Sequence, residues 1–189
     1  MVLRLDKEFY LLKPGKVLFG ESGEIIYASS SVSLILGDPI VLVDSGLPSD
    51  HEAIIQALRE LGLKPSDIDV VINTHLHPDH CGGNDLFKAK IYAHPLEIQR
   101  TGAQYLPCPE RISDVRIIET PGHVDGHISV YFKGIVVAGD AIPTRNNYEK
   151  MVIPRLHTDA NKAMESMQKI IKIAKIIIPG HDEPIEVLK

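Results

Sequence analysis

The chain has 189 residues, 44% hydrophobic and 24% charged, with 20 basic against 25 acidic side chains and a formal net charge of −5. That length and balance suit one domain, residues 1–189, with a sizeable core, and they exclude a disordered chain. The acidic excess argues against a dedicated nucleic-acid or membrane-surface binder, and two cysteines cannot form a disulfide framework. The charged start, with Arg4, Asp6, Lys7 and Glu8, leads into no apolar h-region, and no apolar run approaches a membrane span. A reducing cytoplasm is the expected compartment.

The first third reads as short strands at 9–12, 16–19, 25–28 and 31–36, separated by Pro14-Gly15 and the polar turn at 21–24. IVLV at 40–43 is apolar throughout, which predicts a buried strand ending at Asp44. Ser49 and Glu52 fit an S-x-x-E capping box, and Ile54, Leu58 and Leu61 follow as one stripe, predicting a helix that stops at Gly62. A second buried strand at 68–73 delivers the chain to His75. Further strands are expected at 88–93 and 115–119, a short helix at 95–100, and a hairpin over 128–139 turning at Lys133-Gly134. A helix from about 159 to 174 places Ala160, Met164, Met167, Ile171 and Ala174 on one face, and a last strand ends at His181. The two halves look alike, which predicts an α/β fold of two packed sheets with helices outside.

Five of these apolar strands end in polar turns, at Asp44, His75, His123, Asp140 and His181, and loops after buried strands are where α/β scaffolds carry their sites. The stretch INTHLHPDHCGG, residues 72–83, crowds His75, His77, Asp79 and His80 together. Such a cluster is poor core material, since each ring nitrogen needs a partner once buried, but imidazole and carboxylate are good zinc and iron ligands. In an extended segment His75 and His77 face the same way and can reach one ion. Asp79 and His80, beyond Pro78, can address a second. His123 can complete the first set and His181 the second, and Asp140 suits a bridge. Three or four ligands per ion leave room for water, the pattern of a catalytic site.

HLHPDH at 75–80 resembles the H-x-H-x-D-H signature of the metallo-β-lactamase superfamily. The Asp of VDSG (Asp44), the His of PGH (His123), the Asp of AGDA (Asp140) and the His of PGHD (His181) follow that superfamily's pattern in order across residues 40–183. The resemblance implies an αββα four-layer sandwich with a dinuclear site at one edge. His75, His77 and His123 would hold one ion and Asp79, His80 and His181 the other, with Asp140 bridging and Asp44 supporting the histidine loop. It implies a hydrolase using a hydroxide held between two divalent ions, zinc being expected and iron or manganese the alternatives. Asp79 would orient the nucleophile or pass on its proton. The bond expected to be cleaved is an ester, thioester, lactone or phosphodiester, and the sequence does not choose among them. A mononuclear iron persulfide dioxygenase and a small nuclease acting on RNA or DNA are the rival readings, and a small-molecule substrate is favoured over nucleic acid. His77 departs from the diiron flavoproteins, which carry Glu there. No room is seen for the added domains of glyoxalase II, tRNA-processing or β-CASP members.

Other residues read more plainly. Asp44 is chiefly a hydrogen-bond acceptor, His51 solvated, His94 a cap or packing residue, and His157 ambiguous. His127 is a candidate for the rim of the site. Arg145 and Tyr148, in the loop after Asp140, are candidates for substrate contact, Arg145 with an anion. Cys81 is a small buried residue and Cys108 a loop thiol. Lys169, Lys172 and Lys175 form a solvated helix face.

Overall fold

Short apolar runs buried on both faces account for the central strands of the architecture. In the computed structural model, which describes residues 2–188, the N-terminal strands are β1 (Leu3–Arg4), β2 (Phe9–Lys13), β3 (Lys16–Phe19), β4 (Ile25–Ser29), β5 (Val32–Ile35) and β6 (Val41–Val43). Then come α1 (His51–Glu60), β7 (Val70–Ile72), α2 (Pro78–Cys81), β8 (Lys90–Ala93), α3 (Pro95–Thr101) and β9 (Leu106–Pro107). The second half holds β10 (Arg111–Ile112), β11 (Val115–Glu119), β12 (Ile128–Phe132), β13 (Ile135–Gly139), α4 (Arg145–Lys150), α5 (Ala160–Ile173), β14 (Ile176–Pro179) and β15 (Ile185–Glu186).

One sheet has the order β1-β2-β5-β6-β7-β8-β9, the other β10-β11-β12-β13-β14-β15, and β3-β4 forms a separate hairpin. Strands β6 to β9 run parallel, as do β13 and β14. Alternation along each strand divides the core into layers. Val41 and Val43 meet Ile135 and Val137 between the sheets. Leu42 faces the other way onto Ile54 and Leu58 of α1. Val136 and Ala138 face Met167 and Ile170 of α5. The result is the four-layer helix–sheet–sheet–helix sandwich that the sequence predicts. Each fully buried Leu or Ile contributes about 1.5–3 kcal/mol over an exposed one.

Several local expectations change. Ser49 caps nothing. A tight turn at Pro48–Asp50 precedes α1, which starts at His51. The Asp50 carboxylate accepts instead from the Leu47 N–H (2.8 Å) and the Ser29 hydroxyl (2.6 Å). The buried face of α5 is Ala163, Ser166, Met167 and Ile170, continuing to Ala174, whereas Ala160 is exposed. Ser166 enters that face because its hydroxyl donates to the Pro121 carbonyl (2.7 Å). Residues 145–150, read as loop, form α4, capped by Thr144. The hairpin over 128–139 turns at Lys133 (φ 48°) and Gly134 (φ 92°) as expected, the two left-handed residues of a tight turn matched to strand twist.

Candidate metal centre

The parallel register Val43↔Ile72 brings the ends of β6 and β7 side by side. Asp44, buried and left-handed (φ 56°), turns its carboxylate across to the next loop. Its Oδ1 accepts the Thr74 N–H (2.8 Å), and Oδ2 accepts the Thr74 hydroxyl (2.8 Å) and faces His80 Nδ1 (2.8 Å). Pro78 opens α2 at its first position, where its missing N–H costs nothing, and His77 before it is extended. That change to helix puts Asp79 and His80 on α2 while His75 and His77 precede it, the His75 and His80 rings lying with centroids 4.1 Å apart. Glu97 on α3 holds the loop between the two histidines. Its carboxylate accepts the Leu76 N–H (2.9 Å) and both Arg100 Nε (2.9 Å) and Nη2 (2.6 Å).

Seven side chains from both halves gather at one edge of the sandwich. His77 Nδ1 lies 2.9 Å from His75 Nε2 and 3.0 Å from His123 Nε2, so three ring nitrogens converge. His181 Nε2 lies 3.5 Å and His80 Nε2 3.8 Å from Asp79 Oδ2, forming a second set. Asp140 stands between the sets. Its Oδ1 is 3.3 Å from His80 Nε2 and 3.1 Å from His181 Nε2, and its Oδ2 is 3.4 Å from His123 Nε2. His80 Nε2 and Asp140 Oδ1 are buried yet make no hydrogen bond, despite their short separation. Buried polar atoms are rarely left so unless something else fills their valence, and a nitrogen–oxygen donor set of this kind fits divalent ions.

The outer ring nitrogens are tied down. His123 Nδ1 donates to the Leu156 carbonyl (2.7 Å) and His181 Nδ1 to the Ser29 carbonyl (3.1 Å), which leaves each Nε2 facing the site. Burial, reinforced by the charge of His80, drives the His75 pKa well below the ordinary histidine value, and burial followed by His123 lowers that of His77. Both rings therefore stay neutral and present lone pairs. Burial opposes charge on His80 and His181 as well, but Asp44 and Asp140 outweigh it at His80, and Asp140 at His181, and both pKa values rise. Burial disfavours the Asp140 carboxylate, yet His181 and His80 hold its pKa well below the usual range. Gly180 permits the close approach, since a Cβ there would lie 2.2 Å from Asp140 Oδ1.

His127 is not at the rim. It is 1% exposed and lies beneath the site. Its Nε2 accepts the Asp140 N–H (3.1 Å), which places its proton on Nδ1, facing the Thr120 hydroxyl (2.9 Å). Arg145 and Tyr148 do not contact the cleft either. Arg145 donates from its backbone to Asp182 (2.9 Å) and from its guanidinium to the Pro184 carbonyl (2.9 Å), and Tyr148 packs beneath α5. Arg155, which the sequence did not single out, lines the cleft. His94 caps α3, accepting the Leu96 N–H (3.2 Å). His51 is half-buried rather than solvated, 3.3 Å from Asp85. Cys81 and Cys108 are half-buried, and burial pushes their thiols up to about 11 and about 12, far from a nucleophile's range.

Two sheets sandwiched between helices, with histidines and aspartates from both halves meeting at one edge, define the scaffold of a metal-dependent hydrolase. The chain belongs to the metallo-beta-lactamase superfamily, whose description matches residues 27–119. It is 46% identical over 143 residues to a probable metallo-hydrolase of Methanocaldococcus jannaschii, covering 75% of this chain and 70% of that protein. It is 34% identical over 186 residues to metallo-beta-lactamase domain-containing protein 1 of Xenopus laevis, covering 88% and 76%. The N-acyl homoserine lactonase AiiA of Bacillus thuringiensis is 28% identical over 164 residues, 71% of this chain and 64% of that protein. A structure of AiiA with N-decanoyl-L-homoserine at its active site shares the fold, with a TM-score of 0.76, 23% identity and 93% of each chain covered. The chain is thus a metallo-hydrolase related to lactonases. Among the described residues no helix is long and apolar enough to cross a membrane.

Proposed function

We propose that the chain hydrolyses an ester, thioester or lactone of a small molecule with two divalent ions, zinc in the first instance, in a cytoplasmic setting. His75, His77 and His123 would hold one ion, Asp79, His80 and His181 the other, and Asp140 would serve both. The observation that carries this reading is the Asp140 carboxylate, one oxygen facing His80 and His181 and the other facing His123. When bound, two ions in such a cage supply an activated water and polarise the scissile carbonyl, several kcal/mol of transition-state stabilisation.

The chain's own residues do the rest. The carbonyls of Leu156 and Ser29 and the carboxylate of Asp44 fix the three imidazoles that contact them, so little reorganisation accompanies binding. Asp79, half-buried and lining the cleft, would orient the attacking water and hold its proton. Apolar walls limit competing water above the site. Those walls also favour a small molecule over nucleic acid, because Arg155 is the one Lys or Arg among the cleft-lining residues, and a phosphate backbone calls for several.

Elemental analysis under excess metal tests the reading. Two ions per chain are expected, with Asp140→Ala weakening both sites and abolishing turnover and His181→Ala weakening chiefly one. Saturation at a single ion, or turnover only with iron and in step with oxygen, overturns it in favour of a mononuclear oxygenase.

A further inference from the structure

We propose that the substrate carries a linear aliphatic chain, held in the slot between the β3–β4 hairpin and residues 152–156. The inner end of that chain, where it meets the reacting bond, rests on the hydrolase reading above; the slot itself does not.

The slot is continuous with the metal centre. A cleft of about 740 Å³ has His77, Asp79, His123, Asp140 and His181 at its inner end. One wall is the hairpin, where Val17 pairs with Ala28 and Phe19 with Ile25. These four line the cleft, and the intervening pair Leu18–Tyr27 points to the other face. The opposite wall is Val152, Ile153, Pro154 and Leu156. Both walls begin at a site histidine, since the Ser29 carbonyl at the hairpin base receives His181 and the Leu156 carbonyl receives His123. Both walls meet again at the far end, where the Arg155 guanidinium donates to the Gly23 carbonyl in the hairpin turn.

Between those ends the slot offers little to a polar ligand. The Thr144 hydroxyl donates to Asn147 Oδ1 (2.7 Å), and Asn147 Nδ2 donates to the carbonyls of Val152 (3.0 Å) and Ile153 (3.2 Å). Asn146 adds one polar spot at the α4 side. Yet Phe19 is 53%, Ile25 44% and Leu156 57% exposed. A contiguous apolar surface of this kind marks a binding site, and continuity with the metal centre makes its occupant the tail of the substrate. The Arg155–Gly23 clasp ties the two walls together, and an unbranched chain lying between them from the metal centre outward is the occupant we assign. Val17 and Ala28 sit near the hairpin base, and Phe19 lies two residues further out, roughly 7 Å along the strand. Short chains meet only the first pair, and longer ones reach Phe19 and Ile25.

Straight-chain carboxylates from butanoate to decanoate, titrated calorimetrically into the metal-replete protein and again after chelation, test this. Each methylene should tighten binding about fourfold, the equivalent of ~0.8 kcal/mol, with the same slope with and without metal. Phe19→Ala and Ile25→Ala should weaken decanoate about tenfold and leave butanoate unchanged, and Phe19→Leu should restore most of the loss. Affinity independent of chain length, or an equal loss for butanoate and decanoate, overturns the slot. Length-dependent binding without hydrolysis of any matching ester or lactone supports the slot and sinks the hydrolase reading. Hydrolysis with no length dependence does the reverse.

Discussion

Glu97→Ala removes the one side chain that reaches from α3 into the loop between His75 and His77. The carboxylate is 1% exposed, and its partner Leu76 is buried as well. Without it the Leu76 N–H has no acceptor, a cost of about 1–3 kcal/mol. The bond to Arg100 adds at most about 1 kcal/mol, because that guanidinium is half exposed and screened. The sum, about 1–4 kcal/mol, lowers the melting temperature by roughly 2–16 °C in a chain of this size. Acid removes the effect. Burial disfavours the Glu97 carboxylate, but Arg100 and the Leu76 N–H outweigh it and hold its pKa below the ordinary glutamate value. Its contribution is therefore complete above the unfolded pKa of about 4.3 and is lost as pH falls through the lower folded value. Calorimetric melting of wild type, Glu97→Ala and Glu97→Gln at pH 7 and in acid reads this directly. The amide keeps an acceptor for Leu76 and should cost about 1 kcal/mol. A Glu97→Ala melting point within about 1 °C of wild type at pH 7, below the smallest shift expected for this chain length, would refute the reasoning, as would a loss that persists unchanged in acid.

Three further substitutions probe the support around the ions. Asp44→Ala strips the acceptor from Thr74 and His80 and should cost about 3–5 kcal/mol in urea denaturation; a midpoint near wild type would show that the three bonds carry little. His127→Ala should weaken metal binding by loosening the Asp140 backbone, with His127→Gln restoring much of it through an amide oxygen, and an unchanged metal isotherm for the alanine variant would remove that role. Gly180→Ala should displace the Asp140 carboxylate and weaken both ions while the melting point of metal-free protein shifts little; intact metal affinity would mean that the carboxylate does not need that space.

What the sequence made legible was whatever depends on short periods. The unbroken apolar runs IVLV and IVVAG located strands buried on both faces, and the polar residues closing such runs, with the HLHPDH cluster, named the seven candidate donors that the fold brings together. Contacts distant in sequence were harder to read. Ser49 fits a cap by spacing, but Ser29, twenty-one residues before Asp50, draws that carboxylate into a different bond. Nothing in the short helix expected at 95–100 marks Glu97 until α3 is packed beside the histidine loop. His127 and Arg155 were misplaced or missed for the same reason. The partners that decide their roles, the Asp140 backbone and the Gly23 carbonyl, are 13 and 132 residues away.

The division of donors between the halves has a thermodynamic consequence. The first half supplies His75, His77, Asp79 and His80, the second His123, Asp140 and His181, and each proposed set draws on both. An ion bound there crosslinks the two sheets reversibly, and the unfolded chain cannot offer that geometry. Stability then follows mass action in free metal, gaining about 2.7 kcal/mol for one ion at a hundredfold excess over its dissociation constant. The same edge of the sandwich that performs chemistry would set how long the fold survives, and metal supply in the cell would govern the abundance of this protein as well as its activity.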